Sequence, residues 1–389
     1  MEGSNNSGQR KIAFQRLDKT AFRGIGFNRY HNIYASGHGL VCENTIFFKK
    51  ITPRLERLRS NFASDDHRSI KTGTMEKRKL GRSSLEVAPF TLGGNVFGWT
   101  IDAATSFQIL DAFVGEGFNL IDTADVYSHW KPGNKGGESE TIIGEWLKKR
   151  GQRTDVLIAT KGGGDMGEGK NLRKEYILRA AEASLKRLQT DHIDLYQSHW
   201  DDPATPVDET LEAYAQLVRD GKVRVIGASN FSAQRLTEAL DAANDSQFPR
   251  YESFQPRYNL YDRAEYEKEY QPLCVDRQVG VIPYYGLASG FLTGKYRSES
   301  DLEKSARGGG VKAYLNPRGL RILDALDRAA KKYDVQPATI ALAWLMSRPG
   351  ITAPIASATS TVQLQDLVKA ACITLDEETI SDLDTASSF

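Results

Sequence analysis

The apolar positions of this chain change period at regular intervals. Short runs that alternate or stay continuous give way to longer stretches spaced three and four apart. The first kind reads as strand and the second as helix, because side chains share a face every second residue in a strand and about every 3.6 residues in a helix. Residues 79–87 alternate around Gly81 and predict a β-hairpin. Strands are then predicted at 90–92, 119–122, 156–159, 192–198, 223–228, 251–255, 279–284 and 352–356. Helices fall between them at 103–115, 138–149, 173–188, 211–220, 233–243 and 264–277. Two more, at 319–332 and 337–348, precede the eighth strand, and two others, at 362–371 and 377–385, follow it. The clearest is 173–188, where Ile177, Leu178, Ala181, Leu185 and Leu188 share one face and Asn171 is placed to cap. Gly221 reads as the stop of the helix before it.

Strands alternating with helices imply a parallel sheet. Eight repeats over roughly 300 residues fit an α/β fold of the closed (β/α)8 TIM-barrel kind, with an N-terminal β-hairpin and extra C-terminal helices. An open doubly wound sheet is the alternative, because periodicity does not reveal closure.

Residues 1–74 lack such a period. They carry 13 Lys/Arg against 6 Asp/Glu, whereas the remainder carries 38 against 44. They have no apolar stretch of the secretory kind. The run Met75-Glu76-Lys77-Arg78-Lys79-Leu80-Gly81 looks like a natural start. Residues 1–74 are therefore expected to be a disordered, dispensable extension, and 75–389 the barrel. His31, His38 and His67 read as scattered surface residues.

With 40% hydrophobic and 26% charged residues and a net charge of +1, the chain shows no general attraction to nucleic acid or membrane. No apolar run reaches the roughly 18–20 residues of a membrane span. Cys42, Cys274 and Cys372 are too widely spaced for a disulfide framework or a zinc site, and no HExxH occurs, so no metal is expected. A reducing, cytoplasmic setting is the simplest reading. Nothing in the pattern assigns an oligomeric state.

The ends of the predicted strands carry the chemistry. In chain order they are Gly93-Gly94-Asn95, Asp122 with Tyr127 beyond it, Thr160-Lys161, Ser198-His199-Trp200, Ser229-Asn230, Gln255, Tyr284-Tyr285 and Ser357-Ala358-Thr359. A barrel brings all of them to one rim. Lys161 beside Tyr127 would favour the phenolate and lower the phenol's pKa, and Asp122 would hold Lys161 charged and oriented. His199 could orient a carbonyl oxygen or relay a proton. Tyr127 would give its proton to a carbonyl oxygen as hydride arrives at carbon. Ser229, Asn230 and Gln255 suit a carboxamide, and Tyr284 offers a flat face to a nicotinamide ring. Trp99, Trp130 and Trp200 follow strand ends and could wall a substrate pocket.

Taken singly, each residue has a plainer explanation. Tyr127 could be a loop tyrosine, Asp122 a turn former, Lys161 a solvated strand end and His199 a satisfied core histidine. Asn230 and Gln255 could be structural hydrogen-bonders, and Tyr284 and Tyr285 could be core packing. His129 and His192 carry no expected chemistry. The joint pattern is what favours a site. Two other matches are set aside. Residues 162–167 satisfy GxGxxG but lack a helix start at the third glycine, and so read as a loop. Residues 164–170 spell GxxxxGK, but Asn171 replaces the hydroxyl that would ligate magnesium.

With those residues in place, the chain resembles the aldo-keto reductases over about residues 76–388. The matching segments are Asp122-Thr-Ala-Asp-Val-Tyr127, Thr160-Lys161, Asp194-Leu-Tyr-Gln-Ser-His199, Gly227-Ala-Ser-Asn230, Gln255-Pro-Arg-Tyr-Asn259 and Leu292-Thr-Gly-Lys295. The style is that of the family's microbial oxidoreductases. The resemblance implies a TIM barrel that binds NADP, with NAD as a possible substitute, and has no Rossmann domain. It implies a catalytic tetrad of Asp122, Tyr127, Lys161 and His199, with Tyr127 as general acid and a small-molecule carbonyl as substrate. Cofactor contacts are implied for Gly94, Asn95, Asp122, Ser229, Asn230, Gln255 and Tyr284. They are also implied for Leu287, Ser289, Gly290 and Lys295, and for Ser357, Thr359 and Gln363. Three positions depart from the pattern. Gly286 stands where proline is frequent, Thr359 where a basic residue is common and Leu367 where asparagine is common. A non-catalytic, nucleotide-sensing partner protein of the same fold, like the potassium-channel β subunits, is the alternative function.

Overall fold

The computed structural model describes residues 75–167, 169–245, 248–305 and 308–389. The extension expected at 1–74 lies outside the described residues. The expected hairpin forms from β1 (Arg78–Lys79) and β2 (Glu86–Val87), paired antiparallel. Gly81 turns it with φ +60, a conformation open to a residue without Cβ.

Eight parallel strands follow: β3 (Thr91–Gly93), β4 (Leu120–Asp122), β5 (Leu157–Gly162), β6 (Ile193–Ser198), β7 (Val223–Ser229), β8 (Tyr251–Gln255), β9 (Gly280–Val281) and β10 (Ile355–Ala356). They pair in the order β10-β3-β4-β5-β6-β7-β8-β9. The chain just before β10 closes the ring. Val281 bridges Ile351 in parallel, Thr352 N donates to Val281 O at 2.8 Å, and Ile355 N donates to Pro283 O at 2.9 Å. The protein is a (β/α)8 TIM barrel, and the open doubly wound sheet is ruled out.

Five full helices cross back between strands: α1 (Ala103–Gly115), α2 (Glu138–Arg150), α3 (Lys174–Leu188), α4 (Val207–Arg219) and α5 (Ala233–Asp245). α6 (Gln271–Asp276) follows β8, α7 (Pro317–Tyr333) and α8 (Pro337–Met346) precede β10, and α9 (Thr361–Val368) and α10 (Glu377–Ala386) complete the chain. Their apolar faces and the outward strand residues form the main core, in which Phe90, Phe113, Ile158, Tyr196, Leu211 and Trp344 are buried. No helix among the described residues is long and apolar enough to cross a membrane.

A second, smaller core fills the barrel. Leu120, Ala159, Leu195, Val225, Ile282 and Ala353 point inward, and Leu80, Leu85 and Val87 of the hairpin pack against them. The hairpin thereby plugs the end where the strands begin, which leaves the opposite end to polar chemistry.

Several elements differ from expectation, among them the eighth strand, cut to Ile355–Ala356. The helix expected at 264–277 is a π-helical turn, Tyr266–Tyr270, followed by α6, with Pro272 in its first turn. A proline there lacks the N–H that a continuous α-ladder requires. The seventh strand is cut to two residues before Pro283, for the same reason. α4 starts one turn earlier than the apolar stripe indicates, with Asp208 and Glu209 in its first turn, where acids favour the helix dipole. Asn171 does not cap α3. Its Oδ1 accepts from Arg173 N at 3.0 Å outside the helix, while Glu209 Oε1 accepts from Lys174 N at 3.1 Å.

Candidate active site

The period of two explains how the site is built. On each strand, the residue two places beyond an inner core residue also faces the barrel interior, nearer the open end. Leu120 leads to Asp122, Ala159 to Lys161, and Leu195 to Gln197 and then His199. Apolar residues therefore seal the base, and the next interior layer is polar. Gly227 leaves room in that layer, since a Cβ there would sit 3.0 Å from Gln197 Cγ.

Lys161 is fully buried and its ammonium has three partners. It donates to Asp122 Oδ2 at 2.7 Å, to Thr123 O at 2.7 Å and to the Tyr127 hydroxyl oxygen at 3.2 Å. Asp122 is held on its other oxygen by Gln255 Nε2 at 2.9 Å and Gln197 Nε2 at 3.4 Å. The His199 ring lies edge-on to Tyr127, with centroids 5.9 Å apart. All four residues of the expected tetrad come together at the strand ends. Among the described residues, no group of three or more His, Cys, Asp or Glu is placed to hold a metal ion.

Burial disfavours charge on Lys161, but Asp122 and then Tyr127 outweigh it, and the ammonium ends above its ordinary range. His199 is driven well below its ordinary value, first by burial and then by the Lys161 charge, so the imidazole is neutral. Its Nδ1 is buried and has no hydrogen-bond partner. Tyr127 departs from expectation. Lys161 does act to lower its pKa, but burial acts more strongly in the opposite direction and Asp122 adds to it, so the phenol lies above its ordinary value. In this state Tyr127 is a firmly protonated phenol beside a cation, not an unusually acidic one.

The three tryptophans gather around Tyr127. The Trp130 ring lies 5.5 Å from Tyr127 and 5.6 Å from Trp99, and Trp200 stacks on His199 at 3.7 Å and 25°. Trp130 is 39% exposed and forms the outer lip. His129 meets Trp130 edge-on, and its Nδ1 pairs with Val126 O. His192 lies at the start of β6, paired with Asp191 Oδ1.

The remaining expected residues fall into two groups. Asn230, in the left-handed region at φ +53, donates through Nδ2 to His199 O at 2.9 Å and to Ser229 Oγ at 3.1 Å. Its Oδ1 accepts from the Tyr284 hydroxyl at 2.9 Å, and Ser229 Oγ donates to Gln255 O at 2.8 Å. These four residues are thus one connected polar wall. Tyr285, expected as packing, is 46% exposed and lies under the Arg257 guanidinium. Its backbone is left-handed at φ +61, and its ring meets Tyr284 edge-on at 5.4 Å instead of entering the core.

The second group lines the rim. Ser357 Oγ donates to Asn95 Oδ1 at 2.6 Å, joining the first and eighth strand ends. Gly94 O accepts from Ser139 Oγ, and a Cβ on Gly94 would meet that same oxygen at 2.9 Å. Leu287 is half-buried, and Ser289 and Gly290 follow it with φ of +57 and +94. The exposed Lys295 lies beside Gly290 and makes no ion pair among the described residues. Thr359 donates through N and Oγ1 to Gln363 Oε1 at 3.0 Å each, while Leu367 is buried in the core. The 162–167 stretch forms no nucleotide-binding turn. β5 runs through Gly162, and the loop folds on Asp165, whose Oδ1 accepts from Gly167 N and Gly169 N.

Sequence reading missed Thr123, Gln197 and Asp125. Thr123 acts through its backbone, which carries no residue signature. Gln197 was legible, because it follows the inner residue Leu195 by two. Asp125 is buried at 3% exposure in what reads as a polar loop.

The family model for the aldo/keto reductase family matches residues 89–388. The chain belongs to the aldo/keto reductase family. It is 38% identical over 315 residues to a Bacillus subtilis (strain 168) protein named "Uncharacterized oxidoreductase YrpG", covering 78% of this chain and 93% of that one. It is 33% identical over 327 residues to "Aldo-keto reductase YhdN" of the same organism, covering 82% and 93%. An Arabidopsis thaliana protein named "Probable voltage-gated potassium channel subunit beta" is 34% identical over 307 residues, covering 76% and 91%. As an aldo/keto reductase family member with relatives named as oxidoreductases, the protein is assigned to carbonyl oxidoreductase chemistry.

Proposed function

We propose that the protein reversibly reduces an aldehyde or ketone to its alcohol, using NADPH, or NADH in its place, with Tyr127 as proton donor. The observation that carries this reading is the single buried Lys161 ammonium shared between Asp122, Thr123 O and the Tyr127 phenol.

The residues present suit a nicotinamide dinucleotide. The wall of Ser229, Asn230, Gln255 and Tyr284 would receive the carboxamide and ring. The left-handed turn at Ser289 and Gly290, with the Lys295 ammonium beside it over the Tyr296 ring, suits a phosphate group. Asn95, Ser357, Thr359 and Gln363 would line the remaining rim. When bound, the cofactor supplies or accepts a hydride.

The chain's own residues then handle the proton. Lys161 donates to the phenol oxygen, which leaves the phenol's own hydrogen free to be given to a substrate. As that proton passes to the substrate oxygen, the ammonium meets the phenolate charge that develops. Asp122 fixes the ammonium, and the neutral imidazole of His199 donates to the same substrate oxygen. Trp99, Trp130 and Trp200 would wall the substrate and limit water. Hydride at the carbonyl carbon and the phenol proton at oxygen give the alcohol, and Tyr127 regains its proton from solvent.

A panel of sugar, diketone and aromatic carbonyls assayed with NADPH and NADH in parallel tests the proposal. Turnover of any of them supports it. Nucleotide binding without turnover would favour the nucleotide-sensing alternative suggested by similarity to the potassium-channel relative.

A further inference from the structure

Asp125 sits on the loop that carries Tyr127, and its backbone N donates to Lys161 O at 3.1 Å. The loop is thus tied to the strand that supplies the ammonium. The carboxyl is buried, and its Oδ1 has no hydrogen-bond partner. A carboxylate in that position would be costly, because that oxygen is shielded from solvent and no protein donor meets it.

Charged and titratable groups on the surrounding elements act on it. Glu140 comes from α2, Arg187 from α3, Lys161 from β5, Tyr196 from β6, Tyr214 from α4 and Tyr127 from its own loop. Arg187 does not serve as its direct partner. Its Nε donates to Glu140 Oε2 at 2.6 Å, while Thr160 Oγ1 donates to Glu140 Oε1 at 2.6 Å. Tyr196 is fully buried, and its hydroxyl likewise has no partner. Burial, and after it Glu140, push the Asp125 carboxyl up to about 8 against the opposing pull of Arg187, the Val126 backbone N–H and Lys161. A carboxyl held in this way keeps its proton to a higher pH than an exposed aspartate does.

We propose that Asp125 is a positioning residue for the proton on Tyr127: as a neutral carboxyl it leaves the Lys161 ammonium to Asp122 and the phenol, and as a carboxylate it counters that positive field and makes the phenol hold its proton more tightly. The direction follows from charge, since a second anion near Tyr127 opposes formation of the phenolate. This role rests on the reading of Tyr127 as proton donor.

The test combines kinetics with a measurement that needs no turnover. In the wild type, kcat/KM for carbonyl reduction should fall about fivefold as pH rises through about 8. Asp125→Asn, similar in shape and permanently neutral, should abolish that fall. Glu140→Gln should move it to lower pH, because the group that raises the Asp125 pKa is removed. Separately, the full chain carrying 3-fluorotyrosine at position 127 is titrated by fluorine NMR with and without Asp125→Asn. The phenol should titrate at lower pH in the variant. Identical pH profiles, or identical fluorine titrations, would overturn the proposal. If no form of the protein turns over any carbonyl, the functional reading fails, and the fluorine titration alone decides the role of Asp125.

Discussion

The side-chain amide of Gln255 donates to Asp122 Oδ1 at 2.9 Å, across the barrel and 133 residues along the chain. With Lys161 on Oδ2 and Gln197 also on Oδ1, the Asp122 carboxylate is gripped on both oxygens from three different strands. Asp122→Asn removes the one carboxylate that, among the described residues, pairs with the fully buried Lys161 ammonium, and leaves a single acceptor oxygen for Lys161 and Gln255 to share. Loss of one partner of a buried pair costs about 3 kcal/mol. The variant should lose about that much stability in urea unfolding, and reductase activity with it. An unchanged unfolding midpoint would refute the assigned pairing.

Tyr127→Phe removes one oxygen and keeps the ring that touches Trp130 and His199. The lost hydroxyl makes its hydrogen bond with Lys161, which retains Asp122 and Thr123 O. The fold and nucleotide affinity should therefore persist. kcat should fall by about a thousandfold, in the range expected when a general acid is lost. Fluorescence titration with NADPH beside steady-state kinetics checks both halves. Retained turnover would remove Tyr127 from its role.

Much of this is legible in the sequence. The eight-fold alternation gave eight parallel strands, and their ends gave the four residues that meet at Lys161, because inward side chains recur every second residue and strand ends share a rim. The boundaries were less legible where proline intervenes, at Pro272 and Pro283, since hydrophobic period does not register a missing N–H. Closure was illegible, because it depends on backbone pairing of Val281 with Ile351. The electrostatic sign on Tyr127 was misread for a related reason. A sequence names the neighbouring ammonium, but the depth of burial that outweighs it appears only when the surrounding chain is folded.

Cofactor choice should yield to one substitution. Residues 357–363 hold no charged side chain, and Thr359 spends its donors on Gln363. An adenosine 2′-phosphate would then be met there by neutral hydroxyls and amides alone. Thr359→Arg supplies a fixed cation with a planar fork of donors. The ratio of kcat/KM for NADPH over NADH should rise about tenfold, as about 1.4 kcal/mol of added phosphate binding requires. A ratio that does not move would place the 2′-phosphate elsewhere on the rim.

Burial of Asp125 also makes stability depend on pH, with a definite sign. Its folded value, about 8, lies above the ordinary carboxylate range that it regains on unfolding. The native state therefore holds the proton more tightly than the unfolded chain. The resulting stabilisation is complete below about 4 and is lost progressively as pH rises to about 8. Asparagine does not titrate, so Asp125→Asn escapes that loss. The stability of the variant minus that of the wild type should increase between about pH 4 and about pH 8, by up to ~1 kcal/mol per unit, and level off above. Thermal melts of both proteins across that window read the difference directly, and titrations common to both cancel. A difference that stays constant with pH would mean that Asp125 is ionised throughout.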